Sequence, residues 1–448
     1  MSTPPVQLSG LACRRLRTPN HILDNVYIEF DGPRIGVVGD FASSWLPPGA
    51  YNAREEELTV IPGLVDVHVH GASGVDFLHA DLEGLKTISR TAARGGATTM
   101  VATTTLANDD EGLERFAEFV RLLKSTNPLG YRAGNASAHS VGGSKRSPTP
   151  SGIGSATALA EATEESEDQQ TGVSTLPGTR ITGIHLEGPF LNPDRRGAFI
   201  NRFLRPVDLK IAKKVMDICG DLLIKVTLAP ELPHGDELIR LFSQGTPAPV
   251  EISLGHTACD YELGKKVFEN PRARQITHCF NAMNGLQHRS PNLITAAWLD
   301  ERVSLEIIAD GLHVAPPVVQ VLHKVVGAKR LIATTDGASA AGFPAGTLVE
   351  SFTGQAIVGA DSGVRRTADH TLVGSAALMS DIFGRLQSLA HIPFEDALLM
   401  CSENGAKSLN RFDSIGSVDK GKRADFVVLR KDNSVAATVR DGLLVYEA

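Results

Sequence analysis

Between residues 61 and about 410 the chain alternates apolar runs with helix-like stretches, and this alternation restricts the fold more than any other feature. The apolar runs end at VDVHVH, TTMVATTT, ITGIHLEG, LIKVTLAPE, VEISLGHT, RQITHCFNA, SLEIIADGLH and RLIATTDG, eight in all. Helix-like stretches lie between most of them, including Leu82–Arg94, Asp110–Lys124, Pro206–Cys219 and Pro316–Gly327. Strands that are apolar almost throughout are covered on both faces, as in parallel sheets flanked by helices. Eight such units predict an α/β fold, a closed (β/α)8 barrel of the TIM type, with its active site at the C-terminal ends of the strands. The rival is an open doubly wound sheet, but no glycine-rich phosphate fingerprint follows an early strand.

Residues 1–60 have a different texture. VQLSGLACRRL, HILDNVYIEFDG and RIGVVGDF read as short strands, and the tail repeats the pattern in ADFVVLRKDN, VAATVRDG and LLVYEA. Neither end has a helix to complete a core alone, so residues 1–60 and 411–448 are expected to meet in one small β-sandwich, with the barrel (61–410) inserted between them. Residues 130–178 are rich in Ser, Thr, Ala and Gly and then acidic from Glu161 to Asp168. That composition, where a barrel needs only a few residues, predicts a disordered surface insertion without chemistry.

Reactive side chains collect where the barrel mouth should be. His68 and His70 end the first strand, Glu187 the third, His256 the fifth, His278 the sixth, His313 the seventh and Asp336 the eighth. His185 and Glu187 are two apart and so leave the same face of their strand. One histidine of this kind is ordinarily a hydrogen-bonded core residue, and Glu187 alone reads equally well as half of a salt bridge. Their joint placement at successive strand ends instead predicts a site for Zn²⁺ or another first-row divalent ion, with a position open for water.

Bulk properties exclude other classes. The net charge of −7 with no Lys/Arg cluster argues against a nucleic-acid surface. No run of 18 apolar residues predicts a membrane span, and the N-terminus lacks the basic-then-apolar pattern of a signal peptide. Five cysteines (Cys13, Cys219, Cys259, Cys279 and Cys401) without CxxC spacing read as reduced thiols of a cytoplasmic protein.

The H-x-H after the first strand and the aspartate after the eighth resemble the amidohydrolase superfamily. HLEGPF, SLGHT, THCFNAMN, ADGLH and TTDGASAAG resemble, more specifically, the N-acetylglucosamine-6-phosphate deacetylases, over nearly the whole chain apart from 130–178. The resemblance implies metal ligands at Glu187, His256 and His278. His68 and His70 then either bind a second ion or only line the mouth. It implies proton transfer by Asp336, and sugar-phosphate contacts at Asn281, Ala282, Arg289 and the Asp310–His313 segment, with His313 a donor to the phosphate. Ala198 and a turn at Leu372, Val373 and Gly374 match further substrate positions. The substrate expected is an amino-sugar phosphate, and the assembly a homodimer in which Arg289 reaches the neighbouring subunit's phosphate; the alternative for Arg289 is a plain surface charge.

The chemistry also follows from the residues. Amide hydrolysis at neutral pH needs a nucleophile stronger than water and a proton for the departing amine. A bound metal supplies the first, and a carboxylate beside it moves the proton. Asp336 is placed for that, whereas Glu231, at the end of the fourth strand, reads as a structural carboxylate. Two positions depart from the family. Phe199 stands where a histidine usually helps polarise the acetyl carbonyl, and HRSPN (288–292) lacks the usual acidic residue and glycine flanking the proline. Loss of one such donor typically lowers the rate by about 10²–10³. The reading is therefore a deacetylase of N-acetylglucosamine 6-phosphate. The alternatives are a deacylase of another N-acyl amino-sugar phosphate and a catalytically weak sugar-phosphate-binding protein.

Overall fold

All eight runs become parallel strands: Leu64–Val69, Ala97–Thr104, Arg180–Glu187, Leu223–Leu228, Glu251–Leu254, Gln275–Ile276, Ser304–Ile308 and Leu331–Thr334. In this computed structural model, which describes residues 4–40, 46–126, 175–245 and 250–448, each strand pairs with its neighbour in sequence. The eighth strand returns to the first. Asp336 N–H donates to the His68 carbonyl at 3.0 Å, and His70 N–H donates to the Gly337 carbonyl at 2.7 Å. Buried Asp66 reinforces this seam, accepting from the Thr334 and Thr335 hydroxyls at 2.7 and 2.5 Å. The closure therefore fixes Asp336 against His68 before any ligand is considered.

The helices owe their limits to local chemistry. Asp81 caps Leu82–Arg94 by accepting from Gly84 N–H. The helix expected from Pro206 starts at Leu209, because Asp208 accepts from the Lys210 and Ile211 amides and so marks the first turn. Pro316–Val326 ends at Gly327, whose φ of 80° suits a residue without a Cβ. Ile184 and Leu186 on the third strand pack outward, in one apolar cluster with Leu85, Phe116, Val215 and Phe242 from the surrounding helices. Each such side chain contributes roughly 1.5–3 kcal/mol on burial. The alternate residues of that strand, His185 and Glu187, are buried too, at 0% and 2% exposure.

Strands from the two ends of the chain, among them Gly10–Arg17, Ile22–Asp31, Phe426–Leu429 and Val435–Arg440, lie in one hydrogen-bonded sheet of nine strands. Leu11, Ile28, Phe30, Phe426 and Val439 share its apolar cluster, with the Phe30 and Phe426 rings stacked 5.7 Å apart. A second feature was not anticipated. After the eighth barrel strand the chain forms a four-stranded antiparallel meander of Leu348–Ser351, Gly354–Val358, Gly363–Arg366 and Leu372–Ser375. Leu372–Gly374, expected as a turn, thus belongs to a strand. Gly374 (φ 84°) lies so close that a Cβ would sit 2.6 Å from the Asp336 carbonyl, which explains the glycine there.

The insertion expected at 130–178 falls largely outside the described residues; where description resumes, Thr175 donates through both N–H and hydroxyl to the Thr126 carbonyl. Among the described residues no helix is long and apolar enough to cross a membrane. All five cysteines are buried and free.

Candidate active site

The seven side chains expected at the mouth converge. A cavity of about 240 Å³ is lined by His70, Glu187, His256, His278, His313 and Asp336, with His68 directly below and fully buried. Glu187 is the centre of the group. Its Oε1 lies 3.2 Å from His256 Nε2 and 3.0 Å from His278 Nε2. Its Oε2 lies 3.3 Å from His68 Nε2 and 3.0 Å from His70 Nε2. Asp336 Oδ1 closes the second set, 3.3 and 3.4 Å from the same two nitrogens.

These spacings suit a cation. His256 Nε2 and His278 Nε2 are 3.1 Å apart, and His68 Nε2 and His70 Nε2 are 3.3 Å apart. Two imidazole nitrogens at that distance place lone pair against lone pair unless a proton or a metal ion lies between them. A tetrahedral ion with bonds near 2.0–2.1 Å holds its ligand atoms about 3.3 Å from each other. His68, His70 and Glu187 form one such set, and Glu187, His256 and His278 another, each within 4.8 Å. The donor set therefore fits one ion on each Glu187 oxygen.

Electrostatics without an ion point the same way. Burial opposes charge on His68 and His70, but Glu187 and Asp336 outweigh it and push the imidazoles up to about 10 and about 9. Burial likewise opposes ionisation of Asp336, yet His68 and His70 hold its carboxyl well below the usual range. Two buried carboxylates thus recruit positive charge from whatever is nearest. Beneath them, Lys225 and Glu306 form a fully buried ion pair inside the barrel, and Glu306 Oε2 faces His68 Nδ1 at 3.5 Å.

The backbone is bent to serve this geometry. His256, His278 and Asp336 have φ of 50°, 30° and 45°, values uncommon for residues with a Cβ. Such conformations cost of order 1–3 kcal/mol each and persist where surrounding structure over-determines them. Gly197 (φ 56°) passes so near that a Cβ would be 3.2 Å from His256 Cε1. His256 Nδ1 is fixed in turn 2.9 Å from the Arg195 carbonyl. Glu231 is structural, accepting from Asn192 Nδ2 at 2.7 Å and Ala258 N–H at 2.6 Å, and so ties the loops after the third and fifth strands.

Of the expected substrate residues, Ala198, Asn281, Ala282, His313, Leu372, Val373 and Gly374 line the cavity. Two do not. Asp310 lies beneath it, accepting from His313 Nδ1 at 2.7 Å and from the Leu312 and His313 amides at 2.9 Å, so it orients His313 instead of lining the cavity. Arg289 is on the exposed loop 285–291, away from the cavity of its own chain. Phe199 lies edge-on to His256 with ring centroids 5.1 Å apart. Sequence reasoning missed Ser339, Ser351, Phe352, Thr353 and Thr371, which also line the cavity. The period-two pattern of LVESFTGQAIV was the available signal for the hairpin that carries three of them.

The profile of the Amidohydrolase family, whose members are divalent-metal-dependent hydrolases, matches residues 297–445. The N-acetylglucosamine-6-phosphate deacetylase of Bacillus subtilis is 30% identical over 436 residues, 96% of this chain and 95% of its own. The chain belongs to the N-acetylglucosamine-6-phosphate deacetylase family. Another relative, an N-acetylgalactosamine-6-phosphate deacetylase of Escherichia coli O157:H7, is 27% identical over 94% of each chain. The Mycobacterium smegmatis N-acetyl-D-glucosamine-6-phosphate deacetylase, solved as an aspartate-to-alanine mutant in complex with N-acetyl-D-glucosamine 6-phosphate, superposes with a TM-score of 0.77. It is 26% identical and covers 98% of this chain and 99% of its own. The Thermotoga maritima enzyme, at 23% identity and TM-score 0.72, shares the fold.

Proposed function

We propose that this chain hydrolyses the acetamide of N-acetyl-D-glucosamine 6-phosphate to D-glucosamine 6-phosphate and acetate. The observation that carries this reading is the placing of Glu187, each of whose oxygens faces a different histidine pair, with Asp336 against one of them at the floor of the cavity. Glu187, His256 and His278 would hold one divalent ion and Glu187, His68 and His70 a second, and zinc suits these nitrogen and oxygen donors. Such an ion lowers the pKa of bound water from 15.7 to about 7 and polarises the amide carbonyl.

The remaining work falls to the chain. Asp336, kept ionised by His68 and His70, takes the proton of the attacking water and returns it to the amine nitrogen as the C–N bond breaks. His313, oriented by Asp310, donates to the phosphate, and Asn281, Ala198 and the Leu372–Gly374 strand hold the sugar. Arg289 serves the phosphate bound by a neighbouring subunit of a homodimer, which accounts for its exposed loop. Residues 1–60 with 411–448 act as a supporting unit for the 61–410 barrel, and the reaction takes place in the cytoplasm. A second reading, deacylation of the galacto epimer or another N-acyl sugar phosphate, is favoured by Phe199 in place of the usual histidine and by the E. coli relative. A pure binding protein is disfavoured, because binding alone needs no Asp336.

Acetate release from N-acetylglucosamine 6-phosphate, measured with the galacto epimer in parallel and with and without a chelator, tests the proposal. Release that stops on chelation and returns with added metal is expected. Tight binding of both sugars without acetate release would contradict it.

A further inference from the structure

Two of the histidines that face Glu187, His70 and His256, carry aromatic cover on the cavity side. Phe199 meets His256 edge-on, and Phe352 lies against His70 with centroids 5.6 Å apart. Phe352 also touches Phe199 at 5.8 Å and Phe203 at 5.4 Å, so the rings form one continuous wall. Phe199 and Phe203 are each 4% exposed and anchored in an apolar cluster with Leu78 and Leu191. Phe352 is held differently. It is a turn residue of the hairpin that pairs Ser351 with Gly354, and its ring is only half-buried.

Behind that ring lies a second, much smaller cavity of about 10 Å³, whose walls include Leu78 and, on the polar side, Asp76, Thr103, Thr104 and Thr105. Phe352 and His70 line both cavities, so the Phe352 ring is part of the partition between them. Among the described residues, the buried Thr105 hydroxyl on the far side has no hydrogen-bond partner. A volume of this size is about one water, too small for an extra methylene while the ring is in place.

Resting on the deacylase reading above, we propose that Phe352 sets the length of the acyl group this chain removes. With the amide carbon beside Glu187 and its nitrogen towards Asp336, the acyl substituent meets the wall of Phe199 and Phe352. Water adds to the amide carbon, the C–N bond breaks, the proton goes to nitrogen, and the carboxylate leaves along that wall. The ring stops the pocket at a short acyl group. Its removal joins the pocket to the niche below Leu78 and Thr105, which then takes a chain of four carbons. Phe199 and Phe203, packed on both sides, do not offer this extension.

The test compares kcat/KM for N-acetyl-, N-propanoyl- and N-butanoyl-glucosamine 6-phosphate in wild type, Phe352→Ala and Phe352→Leu. Each methylene changes specificity by roughly 10-fold or more in a wholly apolar pocket. The Asp76 and threonine walls of the niche lower that gain, so two methylenes together are asked for about 10-fold. The butanoyl-to-acetyl ratio should rise at least about 10-fold in Phe352→Ala and by less in Phe352→Leu, with metal content unchanged. An unaltered ratio in both variants would overturn the proposal. Should Phe352→Ala fail to fold, Phe352→Leu alone decides by the same ratio. Wild type inactive on all three substrates would instead overturn the deacylase reading on which the proposal stands.

Discussion

The third barrel strand carries a buried charge at each end, Arg180 at 1% exposure and Glu187 at 2%, and the two ends are neutralised in opposite ways. Arg180 makes a bidentate pair with Asp425 at 2.9 and 3.0 Å and reaches Asp441 at 2.7 Å. Asp441 also accepts from Arg423 at 2.5 Å. Every charge there meets a permanent opposite charge from the chain itself. Glu187 and Asp336 instead meet imidazoles, which are neutral or charged according to proton and metal supply. Burial is nearly the same at both ends, so it does not distinguish them. A buried charge whose partners are all fixed is a fastening, because removing one partner strands the other. One whose partners are titratable ligands is a site that draws in a cation.

The largest expected effect is at the Glu187 end. Asp336→Asn keeps size and most polar contacts but removes the basic carboxylate, so turnover should fall by roughly 10²–10⁴ while substrate binding survives. Steady-state kinetics beside a direct binding measurement separate the two; a variant with near-normal kcat would remove Asp336 from proton transfer.

At the Arg180 end, Asp441→Ala should destabilise the fold by about 3–5 kcal/mol, since it removes a buried carboxylate that faces Arg180, Arg423 and Arg440. Denaturant unfolding reads this, and a loss below about 1 kcal/mol would mean that the cluster is no fastening. The same residue gives the cluster an acid limit. Burial works against ionisation of Asp441, but Arg180, Arg423 and Arg440 outweigh it and bring the carboxyl from 3.8 down to about 2. Because the folded value is the lower one, its contribution is full above the unfolded value and drains away as pH falls through about 2.

A smaller effect is expected at Arg289, outside both clusters. Arg289→Ala should raise KM for the phosphorylated sugar and leave the unphosphorylated sugar almost unchanged. Equal behaviour of wild type and variant on both sugars would make Arg289 a surface charge only.

The contrast between the two ends also explains what the sequence could reveal. His68, His70, Glu187, His256, His278, His313 and Asp336 were legible because parallel strands in a barrel end at one rim, so sequence position alone places them together. The Arg180 cluster was not, since its partners are 245 and 261 residues away and flank strands of the terminal sheet. Lys225 and Glu306 were hidden for a related reason: both sit inside apolar strands, and only closure of the barrel brings them into contact. Asp310 was expected at the sugar phosphate because its segment is recognisable, but the turn that folds its carboxylate back onto His313 was not legible in the sequence. Phe352 carries no reactive group, and a hairpin turn gives no hint of which cavity it will cover.

The central claim is that Glu187 joins two cation sites, and metal content per chain tests it most directly. Elemental analysis of purified wild type should find two divalent ions per chain, and a single ion would leave His68 and His70 as lining of the mouth only. Glu187→Gln, which removes the charge both histidine pairs share, should lose nearly all of this metal, whereas Asp441→Ala, once folded, should keep it. A Glu187→Gln protein carrying the wild-type metal content would contradict the account.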